Sequence, residues 1–243
     1  MLAKKGGRRK LKRYAAPRAV KLSRKATKWT TKAAAGPHPI ERAIPLRLVV
    51  REYLSIARNA READNIVSRG SILVDGIARR DPKFPVGFMD VVQAQATGES
   101  HRVLLDHRGR LVLNKEAGGD SVKLCKVVGK KIVKGGKTQL AFHDGKTMVG
   151  DFKEFKVGDV AQVNLPGVGV VGRLPMEAGM LALVTGGENT GRVGRIEEIK
   201  LIAGTQPNIV ILKSGQDSFQ APEHYIFVVG KEKPVTSLGG GAA

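Results

Sequence analysis

After residue 100 the chain is a succession of short apolar runs cut by glycine turns. That punctuation rules out long helices over more than half its length. The runs cover residues 102–105, 110–113, 123–128, 139–142, 160–163, 181–184, 193–199, 209–212 and 225–229. Between them lie Arg108-Gly109, Gly135-Gly136, Asp144-Gly145, Val157-Gly158-Asp159 and Gly186-Gly187. Strands this short, at this spacing, predict one or two small antiparallel barrels.

The first 32 residues obey a different rule. They carry thirteen Lys or Arg and no acid, and supply +13 of a formal charge of +20. Such a block repels itself and buries little apolar surface, so by itself it is expected to be disordered. Its expected use is as an arm laid along phosphates, because each phosphate neutralised releases a condensed counterion. The candidate contacts are Lys4, Lys5, Arg8, Arg9, Lys10, Lys12, Arg13, Arg18, Lys21, Arg24, Lys25 and Lys28. Tyr14 and Trp29 either stack on bases or pack into the body, and packing is the expectation for Trp29, since a lone Trp usually anchors. Gly36-Pro37-His38-Pro39 is a turn that ends the arm, and His38 either touches RNA or supports the turn.

Between these regions the pattern is mixed. Leu46, Val49, Val50, Tyr53, Leu54 and Ala57 recur at helical spacing behind Pro45. Asn59 and Glu62 form an N-cap pair for a second helix with Ala63, Ile66 and Val67 inside and a stop at Gly70. Asp75-Gly76 between apolar runs predicts a hairpin. Phe84-Pro85-Val86-Gly87 reads as a turn, and 89–92 as a strand. Arg47, Arg51 and Arg58, spaced four and seven apart, predict one basic helical stripe. With Arg61, Arg69, Arg79, Arg80 and Lys83 they make a surface that could grip a nucleic-acid backbone, or simply a solvated outer face. The overall class is α+β, mostly β.

Composition narrows the chemistry. Aromatics are 5% of residues, too few for binding dominated by rows of stacked bases. The single cysteine, Cys125, excludes an internal disulfide and sits in an alternating run that reads as buried strand. The histidines form no metal spacing, and no metal or cofactor is expected. Gly167 to Gly172 matches G-x-G-x-x-G, but Pro175 would break the helix a dinucleotide requires. Gly186 to Gly191 has phosphate-loop spacing, yet Arg192-Val193 follows in place of Lys and a hydroxyl residue. No G-x-S-x-G occurs, and neither Cys125 nor an Asp90/Glu99 pair comes with partners for catalysis, so the chain does not read as an enzyme. No apolar run approaches the ~20 residues that span a bilayer. The basic N-terminus lacks the apolar stretch of a secretory signal, and Pro17 and its continuity with a patterned domain argue against a mitochondrial presequence. A cytoplasmic setting with no small-molecule substrate is expected.

The helix-helix-hairpin run resembles the small RNA-binding module (alpha-L type) shared by bacterial small-subunit protein S-four, pseudouridine synthases and a tyrosyl-tRNA synthetase tail. The likeness is best over Asn59-Ala60-Arg61-Glu62-Ala63 and residues 66–76. Five further runs, in order, resemble landmarks of the archaeal and eukaryotic small-subunit ribosomal protein S-four-e family. They are Gly36-Pro37-His38, Phe84-Pro85-Val86-Gly87-Phe88-Met89-Asp90-Val91, Lys123-Leu124-Cys125-Lys126-Val127, residues 185–194 and residues 226–231. The short end after Ser237-Leu238 resembles the archaeal form.

The resemblance implies an arm (1–42), an S-four-type RNA-binding domain (43–106), a central β domain (107–175), a KOW segment in an SH3-like barrel (176–230) and a tail (231–243). The KOW landmark maps onto residues 180–199, with Gly191 in its loop and Arg192 and Arg195 as further contacts. Implied partners are small-subunit ribosomal RNA and neighbouring small-subunit proteins. Where the module often begins Arg-Leu-Asp, this chain reads Arg47-Leu48-Val49, so no contact through that Asp carries over. Two other readings are an RNA-modifying enzyme subunit targeted by the module and a KOW-type assembly factor.

Overall fold

The computed structural model describes residues 10–116, 122–167, 169–215, 217–236 and 238. Lys4, Lys5, Arg8, Arg9 and the glycine-rich tail lie outside the described residues. The architecture is mostly β with few helical residues, built on three five-stranded antiparallel sheets.

The arm has a two-stranded ribbon, β1 (Leu11–Lys12) against β2 (Trp29–Thr30). It lies on the body: Ala16, Ala19, Val20 and Ala33 are buried, and the Leu111 amide donates to the Ala19 carbonyl at 2.7 Å. The expected disorder thus gives way over residues 10–32 to order borrowed from the body. Trp29 corrects its expectation, being 49% exposed with the Lys28 ammonium 5.6 Å from its ring centre.

β3 (Ala43–Pro45) leads into α1 (Leu46–Leu48), a π turn (Val49–Tyr53) and α2 (Ala60–Ser68). The first helix is shorter than its periodicity predicts. The Leu54 amide reaches back five residues to Val49, and Ser55 turns to φ +55, so Arg58 falls beyond the helix and the three-arginine stripe does not form. Leu46, Leu48, Val49 and Val50 still reach the core, each worth roughly 1.5–3 kcal/mol of apolar burial. The second helix starts and stops as its sequence predicts. The Asn59 side chain accepts from the Glu62 amide at 2.9 Å, the Glu62 carboxylate accepts from the Arg58 amide at 2.9 Å, and Gly70 ends the helix at φ +80.

β4 (Ile72–Val74) and β5 (Ile77–Ala78) close through Asp75 and Gly76, both at positive φ as a tight hairpin requires. β6 (Pro85–Gly87) corrects a second expectation: the segment is paired in antiparallel register with β3, not a free turn. β7 (Val91–Ala94), β8 (Glu99–Leu105) and β9 (Leu111–Lys115) complete a first sheet in the order β5-β4-β7-β8-β9. This sheet runs past residue 106.

β10 (Val122–Ile132), β11 (Thr138–Phe142), β12 (Thr147–Gly150), β13 (Val160–Asn164) and β14 (Val170–Leu174) form the second sheet, ordered β12-β11-β10-β13-β14. β10 pairs with β13 along its first half and with β11 along its second, with a register shift between Val127 and Gly129. Gly172, in the dinucleotide-like run, lies within β14. β15 (Leu181–Val184), β16 (Val193–Lys200), β17 (Ile209–Ser214), β18 (Asp217–Pro222) and β19 (Ile226–Gly230) form the third, ordered β18-β17-β16-β15-β19. Met89 and Leu104 of the first sheet's region and Leu124 and Val160 of the second share a core with Ala182, Ile196 and Phe227 of the third. The sheets are therefore fused by packing.

Candidate nucleic-acid interface

The cationic side chains fall into two populations, one engaged by partners in the protein and one exposed. One population is engaged inside the protein. Arg13 is buried, donating to Glu52 at 3.0 Å and to Thr27 at 3.2 Å. Arg47 makes a forked pair with Asp64 at 2.5 and 2.6 Å and a third bond to Thr31 at 3.2 Å. Arg51 pairs with Glu52 at 2.8 Å. Buried Arg102 is held by Glu116 and donates to the Val122 carbonyl at 3.0 Å, which ties the first sheet to the start of β10. Of these candidate contacts, Arg13 ties the arm to the π turn, Arg47 ties α1 to α2 and the arm, and Arg51 pairs with its own neighbour Glu52.

The second population is exposed. Lys10, Lys12, Arg18, Lys21, Arg24, Lys25, Lys28, Arg58, Arg61, Arg69, Arg80, Lys83, Arg192 and Arg195 are exposed and make no ion pair among the described residues. Arg24 and Arg192 use one donor each, on the Tyr14 carbonyl and on Asn189 at 3.3 Å. Arg79 is half-buried, stacked 4.6 Å from the Phe84 ring centre. Backbone bonds place much of this set together. The Ala34 amide donates to the Lys83 carbonyl, the Arg47 amide to the Pro82 carbonyl, and the Lys21 amide to the Tyr53 hydroxyl at 2.8 Å. Burial pushes the Tyr53 phenol up to about 12. The arm, the start of α2 and the 79–83 segment thus cluster around the Arg47–Asp64 fork.

His38 settles on the second of its two readings. Its ring is buried, 2.9 Å from Asp90, and a Cβ on Gly87 would overlap it. The ring supports the turn and does not face outward. Asp90 leads to a group that sequence reasoning missed. The Lys123 ammonium is buried among Asp75 at 2.7 Å, Asp90 at 2.6 Å and Asp144 at 3.1 Å, and Lys146 closes on Asp75 at 3.0 Å. Burial alone would raise the Asp90 pKa, but Lys123 and His38 hold its carboxyl well below the usual range. Burial alone would lower Lys123, but the three carboxylates hold it well above. The one sequence signal was that Lys123 shares a strand face with Cys125 and Val127, both buried. Cys125 is buried as expected, and burial pushes its thiol up.

Gly191 stands at φ +82, where a Cβ would lie 3.0 Å from the His107 backbone. The close approach that this glycine permits is therefore to the β8–β9 turn of the first sheet.

The comparisons give the class of this mostly β body as ribosomal. The RS4NT (NUC023) domain matches residues 5–41, and Ribosomal family S4e matches residues 97–169. The small ribosomal subunit protein eS4 of Methanothermobacter thermautotrophicus is 45% identical over 236 residues, covering 96% of this chain and 97% of the relative. That of Archaeoglobus fulgidus is 42% identical, covering 94% and 97%. The crystal structure of 30S ribosomal protein S4e from Thermoplasma acidophilum superposes with a TM-score of 0.69 at 36% identity, covering 79% of this chain and 96% of that one. The chain belongs to the S4e family of small-subunit ribosomal proteins. It is a structural constituent of the cytoplasmic ribosome and not an enzyme.

Proposed function

We propose that the chain binds small-subunit ribosomal RNA, supports its folding, and packs on neighbouring small-subunit proteins. The exposed, unpaired cations of the arm, the α2 start and the 79–83 segment make the contacts: Lys10, Lys12, Arg18, Lys21, Arg24, Lys25, Lys28, Arg58, Arg61, Arg80 and Lys83, with Arg192 and Arg195 on the third sheet. Lys4, Lys5, Arg8 and Arg9 extend the same arm. Residues 43–116 act as the alpha-L RNA-binding module, the second sheet as a central β domain, and residues 176–230 as the KOW barrel of SH3-like type. Gripping by shape and backbone suits a surface rich in Arg and poor in aromatics.

The observation that carries this reading is the partition of cations, since groups without carboxylate partners give up no ion pair by turning to phosphate. Its test compares two kinds of variant. Arg58→Gln, Arg61→Gln and Arg80→Gln combined should weaken binding to small-subunit ribosomal RNA by at least tenfold and leave the unfolding midpoint in place. Arg47→Gln should instead cost stability, because Asp64 loses its fork. Equal RNA affinity in wild type and the triple variant would remove this surface from the interface.

A further inference from the structure

The interface described so far draws chiefly on the first half of the chain. A second cationic element stands on the second sheet, with no role from motif or family comparison. Residues 121–143 hold six lysines and no acid. Two of the six are inside. Lys123 sits in the carboxylate cluster, and Lys126 donates to the carbonyls of Glu223, His224 and Ile226 at 3.3, 3.0 and 2.6 Å. The other four belong to the outer half of β10 and the turn into β11. Lys130 donates to the carbonyls of Lys153 and Phe155 at 2.7 and 2.9 Å, which fixes the stem of this hairpin to the body. Lys131, Lys134 and Lys137 are exposed and make no ion pair among the described residues.

The tip is shaped as well as charged. The turn is closed by the Val133 amide on the Lys137 carbonyl at 2.9 Å. Gly135 and Gly136 hold φ +85 and +73, and a Cβ on either would meet nothing within 4 Å. Bare backbone with open space around it can come close to a sugar-phosphate chain. Beside the lysines, Ile132 is 79% exposed and Val128 59%.

We propose that the β10–β11 hairpin is a second RNA contact, a wedge whose three ammoniums straddle backbone phosphates while Ile132 packs on a sugar or base face. The inference rests on the RNA-binding reading above. Charge complementarity favours RNA over a protein partner. Lysine is depleted at protein interfaces, and one or two exposed aliphatic side chains fall far short of the apolar centre such an interface needs.

The test uses the full chain assembled into small subunits, with an iron chelate tethered at Lys134→Cys to generate hydroxyl radicals. Buried Cys125 leaves the new thiol as the reactive one. A probe at Lys25→Cys in the arm serves as the reference. The expected result is cleavage of ribosomal RNA at discrete positions from Lys134→Cys, distinct from those cut from Lys25→Cys. Cutting from the arm probe alone, or crosslinking of the hairpin only to a neighbouring protein, overturns the hairpin contact. Cutting from neither overturns the RNA-binding reading beneath it. As a second measurement, Lys131→Gln, Lys134→Gln and Lys137→Gln together should flatten the log-log salt dependence of RNA binding by roughly 2, at about 0.7 per phosphate contact, with the unfolding midpoint unmoved. An unchanged slope with a folded variant also overturns it.

Discussion

Lys123 brings one positive charge into contact with three carboxylates drawn from two sheets, and His38 of the arm completes the group through Asp90. A buried ammonium is tolerated there because three carboxylates surround it within 3.1 Å. Removing it leaves Asp90 facing only the His38 ring, and Lys146 alone facing Asp75 and Asp144. Lys123→Met is therefore expected to cost about 3–5 kcal/mol by chemical denaturation, the range for breaking one side of a buried pair. A loss below about 1 kcal/mol would show that water already reaches the cluster. His143 sets the acid limit. Burial first, then the Lys123 charge, pushes its ring down to about 4. Its Nδ1 accepts from the Lys126 amide at 3.1 Å, so the neutral form is the one that fits. A depressed imidazole contributes stability that is fully present above the ordinary value of about 6.5 and is lost as pH falls toward 4, here on the order of 3 kcal/mol. His143→Gln should abolish that step in a pH series of unfolding midpoints. At this scale the sequence was partly legible. Cys125 was read correctly from its alternating strand. Lys123, in the same strand, was not, because a lone lysine gives no sign of partners 33 and 48 residues away. Trp29 misled as well: it lies 49% exposed, with the Lys28 ammonium over its ring.

Elements whose limits are set by local chemistry were the readable ones. The Asn59 cap, the Gly70 stop and the Asp75-Gly76 hairpin each need only a few adjacent residues. Asn59→Ala should accordingly cost about 1 kcal/mol, seen as a lower midpoint in denaturant with the slope unchanged. Where pairing is non-local, the sequence misleads. Residues 85–87 look like a turn because of Pro85 and Gly87, yet they pair with a strand some forty residues earlier. Within the five-stranded sheets, the strands that the apolar pattern did not signal, β12, β14 and β18, all lie at sheet edges. An edge strand is paired on one side and solvated on the other, so it needs little apolar alternation and tolerates Gly150, Gly172 and Pro222. The first helix broke its predicted length at a π turn, which alternation of apolar residues does not encode.

Across the whole molecule, the chain keeps its charges in two roles. Those engaged with Glu52, Asp64, Asp90 and Glu116 hold the sheets and the arm together; those left exposed set the field. Sequence alone located the field, because thirteen cations without one acid cannot be balanced locally. It did not divide the arm, since Arg13 and Lys12 differ only in which faces Glu52. Exposed arm cations are the groups proposed to dock the protein on RNA. The most direct measurement is the salt dependence of affinity for small-subunit ribosomal RNA, for wild type and for a full-length variant with Lys10, Lys12, Arg18, Lys21, Lys25 and Lys28 changed to Gln. Keeping Arg13 preserves the arm's packing. The log-log slope should become shallower by up to roughly 4, with affinity falling at low salt; a folded variant with wild-type slope and affinity would show that the arm does not dock on RNA.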